Sequence, residues 1–141
     1  DFNADNAKLD AVLAGLADEV SSKADTEALL QLQVTIPKLV VGTYVGNGEE
    51  GYSYPCTLDF TDTLGRPPQL VLVRTNIDPD RTKSLTLIQG AAVANCYNSS
   101  ELISNADNTL LWNGNAVSWY GHSASAQMNE EGVLYRYFAI G

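Results

Sequence analysis

Residues 115–141 read NAVSWYGHSASAQMNEEGVLYRYFAIG. Two strand patterns, 116–120 and 133–140, bracket a polar link. Side chains alternate across a strand, so Val133, Tyr135, Tyr137 and Ala139 share one face. Leu134, Arg136, Phe138 and Ile140 share the other. Both faces are largely apolar or aromatic, which predicts a central strand covered on both sides. In 116–120 the same alternation separates Val117 and Trp119 from Ala116, Ser118 and Tyr120. Trp119 is assigned to the core, and Tyr120 to the surface or an interface. The link 121–131 is expected to be exposed and is the first place to look for function.

Moving back from this stretch, Asn113-Gly114 is the clearest hairpin signal in the chain, with the link extending as far as Asn115. It joins residues 109–112 to 116–120. Further strands are expected at 39–45, 52–60, 69–75 and 83–91. Gly46-Asn47-Gly48, Arg66-Pro67-Pro68 and Asp78-Pro79-Asp80 act as turns or breaks. Residues 95–108 are polar, with short strand candidates only at their edges. Seven or eight short strands in this part predict a mainly β fold, a β-sandwich or jelly-roll-like domain.

The composition changes near Pro37. Residues 1–38 hold one aromatic, Phe2, and one of the eleven glycines. Within them Leu9, Leu13, Leu16 and Val20 fall on one helical stripe, the spacing of a coiled-coil seam. Continuing that spacing places Lys23 and Glu27 on the seam. Ser21-Ser22 offers an alternative break between two helices, and Asp5 or Asn6 a first cap. The expected organisation is a helical, self-associating stalk over 1–37 and a β-domain over 38–141. Pro37 ends the helix.

The formal charge is −9 and no basic run occurs. Nucleic acid and anionic membranes are therefore poor partners. No apolar run is long enough to span a bilayer as a helix. The sequence begins with Asp1 rather than Met and reads as a fragment, a processed product or a trimmed piece, so a targeting signal could have been lost and localisation is not read from the N-terminus.

Candidate chemistry is sparse. His122 is the only histidine, and no nucleophile elbow accompanies it; an exposed loop histidine explains it best. Asp59/Asp62, Asp78/Asp80 and Glu130/Glu131 are better explained by turns than by glycosidase or calcium chemistry. Cys56 and Cys96 lack metal-ligand spacing and read as free buried thiols ahead of a disulfide. No cofactor, metal or catalytic residue is expected, and the chain reads as a non-enzyme. The aromatics Trp112, Trp119, Tyr120, Tyr135 and Tyr137 are core or subunit-contact residues first, and ligand platforms second. Tyr120, His122, Gln127, Trp112 and Tyr97 are the candidate ligand contacts. The loops 46–51, 76–82, 95–108 and 121–131 are where binding is expected.

The run VVGTYVGNG at 40–48, with VSWY, Ala126-Gln127-Met128-Asn129 and LYRYFAIG at the end of the chain, resembles a known kind of protein. It is similar to the C-terminal tip modules of tail-fibre or receptor-binding-like proteins from phages and prophages of gut Firmicutes. The resemblance implies a homotrimer with a helical stalk and a β-rich tip, located on the virion tail. Its partner would be a bacterial surface glycan or protein. Two other readings stay open: a monomeric carbohydrate-binding module on the surface of the bacterium or secreted by it, and a tail assembly component without a ligand.

Overall fold

The computed structural model describes residues 2–75, 82–98 and 102–141. Its elements are α1 (Phe2–Thr35), β1 (Leu39–Val45), β2 (Cys56–Asp59), β3 (Leu70–Thr75), β4 (Lys83–Ile88), β5 (Val93–Asn98), β6 (Leu102–Asn113), β7 (Ala116–Tyr120) and β8 (Leu134–Ile140). The chain divides into two compact units, Asp1–Pro37 and Lys38–Gly141.

The first unit is a single helix of 34 residues, about 51 Å long at 1.5 Å per residue. It starts at Phe2, ahead of the expected caps, and runs through Ser21-Ser22 without a break. The Thr26 hydroxyl donates to the Ser22 carbonyl at 2.8 Å. That bond satisfies the side chain inside the helix and removes its incentive to start a new one. Lys23, on the expected seam, pairs with Glu19 at 2.9 Å. Leu9, Leu13, Leu16 and Val20 are all exposed, at 56–61 %. The helix ends at Thr35, two residues before Pro37.

The second unit is mainly β. All eight strands among the described residues belong to one antiparallel sheet, in the order β1-β8-β3-β4-β5-β6-β7-β2. The expected division into two facing sheets does not appear in this pairing. In a flat sheet β1 and β7 would lie about 29 Å apart, six strand spacings. Instead Tyr44 of β1 meets Trp119 of β7 edge-on at 6.4 Å, and Phe60, just past β2, meets Tyr137 of β8 at 5.9 Å. The sheet therefore curls until its two ends approach. Its concave face holds one core, which includes Val71, Val73, Leu85, Leu87, Trp119 and Tyr135. Gly42 leaves room for the Tyr137 side chain, which reaches from β8 toward Phe60. It pairs with Tyr137, and a Cβ there would lie 2.2 Å from the Tyr137 hydroxyl oxygen.

β8 is central, between β1 and β3, but it is covered on one side only. Tyr135 and Ala139 are fully buried, whereas Arg136 and Ile140 on the other face are exposed. Leu39, Val41, Val45 and Ile88 share that outer side and are also exposed. Apolar character on both faces of a strand therefore did not require burial on both.

Residues 95–108 are more regular than their polarity suggests. β5 and β6 both lie largely within them, and β6 continues for 12 residues, taking in 109–112. Its hairpin to β7 turns at Gly114-Asn115, between the paired Asn113 and Ala116. Gly114 has φ 57°, the left-handed geometry required at the first position of a tight primed turn.

Candidate functional site

The largest departure from expectation is the 121–131 link. Ala126, Gln127, Met128 and Asn129 are 0–7 % exposed. Tight turns coil this segment: the Gln127, Met128 and Asn129 amides donate to the Ser123, Ser125 and Ala124 carbonyls. Met128 takes a left-handed φ of 58°. It tolerates this because its side chain fills the core, with its sulfur 3.5 Å from Cys96 Sγ, and because its carbonyl accepts the Tyr44 hydroxyl at 2.7 Å.

Gln127 is accordingly an internal tie. Its Oε1 accepts the Gly51 and Gly121 amides at 2.9 and 3.2 Å, and its Nε2 donates to the Tyr54 carbonyl at 2.7 Å. Its own carbonyl accepts the Trp119 indole at 2.8 Å. Asn129 repeats the pattern on the 46–51 loop. Its Nδ2 donates to Asn47 Oδ1 at 2.6 Å and to the Glu49 carbonyl at 2.8 Å. Gln127 is thus corrected from a surface contact to a buried anchor. A polar side chain goes inside when backbone groups of a neighbouring loop need its amide.

That anchoring places a surface feature. With Val117 and Trp119 turned inward, Tyr120 faces out beside its register partner Thr109. Asp107 lies two residues earlier on the same face of β6. Gly51, held by Gln127, brings Tyr52 over Tyr120, with ring centroids 5.5 Å apart and planes at 87°. Glu50 fastens the same loop by accepting the Ala124 amide at 2.6 Å. Tyr52, Tyr120, Asp107, Thr109 and His122 line a hollow of about 230 Å³. Tyr52 is 77 % exposed. Among the described residues no hydrogen bond or ion pair occupies the side chains of Tyr52, Tyr120, His122 or Asp107.

A second hollow, of about 220 Å³, lies between the two ends of the sheet, lined in part by Tyr44, Tyr54, Cys56, Trp119 and Asn129. Its polar groups are mostly committed to internal bonds. Burial pushes the Tyr44 phenol far above the ordinary tyrosine range, with Cys56 nearby adding to the rise. Burial raises the Cys56 thiol as well, against a hydrogen bond from Gln127. Asn47 and Glu49 also line this hollow, and they are tied to each other and to Asn129 by hydrogen bonds.

The structure therefore brings two of the candidate contacts, Tyr120 and His122, into one hollow. Trp112 lies elsewhere, half-buried against the core, and its indole donates to the Ala91 carbonyl at 3.0 Å. Tyr97 is 47 % exposed on β5 but does not line the hollow. Tyr52 was not among the candidates. Its flanking residues show no alternation, and only the folded 46–55 segment carries it to Tyr120. Residues 76–81, including Asp78-Pro79-Asp80, lie outside the described residues.

No grouping of three or more histidine, cysteine or acidic side chains suited to a metal occurs among the described residues. Cys56 and Cys96 are free thiols. Lys83 bonds to Glu130 Oε2 at 2.6 Å and to Ser125 Oγ, a half-buried pair that pins the coiled segment to β4. Comparison with models of protein families, with curated proteins and with solved structures gave no match.

Proposed function

We propose that this chain is a non-enzymatic adhesive module of the phage or prophage tail-fibre type. Its β-domain binds a bacterial surface glycan through the Tyr52–Tyr120 hollow, and α1 joins three copies as a coiled coil. The observation that carries the reading is the pair of perpendicular tyrosine rings at the surface, one 77 % exposed, beside the Asp107 carboxylate and the His122 imidazole. Exposed aromatic faces stack on the apolar faces of sugar rings, and the polar rim accepts or donates to hydroxyls. The unmatched apolar stripe of α1 supports self-association, because a helix without a packed face gains most of its stability from a partner.

The test is a panel of bacterial surface polysaccharides screened by calorimetry against the full chain. Tyr52→Ala and Tyr120→Ala should each weaken the binding found by about tenfold, about 1.4 kcal/mol. Their melting curves should stay close to that of the parent chain. Binding that survives both substitutions would remove the hollow from the account.

A further inference from the structure

We infer that the ligand of this hollow carries a protonated or quaternary ammonium group, so that the glycan recognised is one bearing cationic amino substituents. This rests on the glycan-binding reading above and narrows it. Tyr52 and Tyr120 meet edge to face at 87°, so the edge of one ring covers part of the other's face and the pair offers no flat two-ring platform. A sugar ring stacks best on a broad open face; a compact, roughly spherical group needs only the ring face left beside the edge contact. The face of an aromatic ring is the negative part of its quadrupole and attracts a cation held within about 6 Å.

Charge points the same way. Asp107 lines the hollow together with the two rings, and among the described residues no lysine or arginine lines it. Among the described residues the Asp107 carboxylate has no ion-pair partner. Glu50 stands beside Gly51 at the rim, where its carboxylate accepts the Ala124 amide. The whole chain carries a formal charge of −9, so its field adds to the attraction and speeds encounter with a cation. A neutral N-acetylated sugar would gain only the stacking component. An anionic sugar would meet the Asp107 carboxylate without a compensating cation.

The experiment uses the full chain and three oligomers of one glucosamine backbone, titrated calorimetrically at neutral pH. One carries free amines, one is N-trimethylated and one is fully N-acetylated. The two cationic oligomers should bind about tenfold or more tightly than the N-acetylated one. Tyr52→Ala should reduce their binding about tenfold, and Asp107→Asn by a similar factor, with weaker dependence on added salt. Asp62→Asn removes the same charge from an exposed turn outside the hollow and should leave binding unchanged. Equal affinity for charged and N-acetylated oligomers would overturn the ammonium assignment and leave the glycan reading intact. Equal loss in Asp107→Asn and Asp62→Asn would also overturn it, by assigning the effect to net charge alone. If no oligomer binds while another surface polysaccharide does, the assignment falls. If nothing in either panel binds, both readings fall together.

Discussion

Gln127 shows how one side chain can join two loops and a core. Its amide satisfies the backbone of Gly51, Gly121 and Tyr54, while its carbonyl holds the Trp119 indole. Gln127→Ala keeps the carbonyl but orphans two amides and a carbonyl oxygen, and the Gly121 amide is buried. The expected loss is about 3 kcal/mol, since each abandoned buried group costs about 1–3 kcal/mol. Urea unfolding will measure it, and an unchanged midpoint would refute the tie. Because Gln127 also positions Gly51 next to Tyr52, the variant should weaken ligand binding too. Sequence placed Gln127 outside because polarity was the only local signal; which backbone groups would need its amide was decided 76 residues away. Trp119 was legible, since its alternation with Tyr120 is a property of the strand itself.

At the same scale, buried acids set the alkaline limit of the fold. Burial lifts the Cys96 thiol from 9.0 to about 11, a rise opposed by Lys83 nearby. Burial likewise raises Tyr44 and Tyr135 above the ordinary tyrosine range. These groups stay protonated in the folded chain after the unfolded chain has released its protons. The unfolded state then binds fewer protons, and stability falls as pH rises. The contribution of Cys96 is intact below pH 9.0 and declines from there to about 11. Unfolding midpoints recorded across that interval should decrease for the parent chain, and less steeply for Cys96→Ala. A Cys96→Ala profile parallel to the parent would assign the alkaline loss to the tyrosines and Cys56.

Among the elements, β1 and α1 carry opposite lessons about glycine. In β1 a methyl at Gly42 would meet the Tyr137 hydroxyl and ring at 2.2–2.7 Å. Gly42→Ala should cost about 2 kcal/mol, in the range for overpacking. Combined with Tyr137→Ala, its effect should be much smaller than the sum, because the clash has lost its partner. Strict additivity in a double-mutant cycle would refute the contact. In α1, a methyl added at Gly15 would have open space around it, with no neighbouring atom within 4 Å. Gly15→Ala should stabilise the helix by about 1 kcal/mol, readable as increased helicity in a peptide of residues 1–37. The helix, β1, β7 and the hairpin turn were legible because local periodicity and turn chemistry specify them. β6 was not, because its polar first half lacks apolar alternation and is held by ladder bonds to β5. The sandwich expectation had a different source: alternation assigns each strand a buried face but says nothing about which strands share a sheet.

For the whole molecule, the two units make different demands. Residues 38–141 possess a core that includes Val71, Leu85, Trp119 and Tyr135, each fully buried. That core should suffice for independent folding. The helix has no such resource: Leu9, Leu13, Leu16 and Val20 remain 56–61 % exposed along one stripe. The proposed trimer matches these demands by giving the stripe an apolar partner while each β-domain folds alone. Light scattering at micromolar concentration should return three times 15.2 kDa for the full chain. Residues 38–141 alone should be monomeric and should retain a cooperative melt. The double substitution Leu13→Asp and Leu16→Asp should produce monomers of the full chain without lowering the melting point of the β-domain, since it places charges on the seam alone. A monomeric parent chain would remove the stalk from the proposal. Association retained by residues 38–141 would transfer it to the exposed side of the sheet, where Leu39, Val41 and Ile88 stand uncovered. Glycan binding by a monomeric β-domain, with affinity equal per site and avidity lost, would separate the two roles: recognition in the hollow, and strength of attachment in the number of copies the helix holds together.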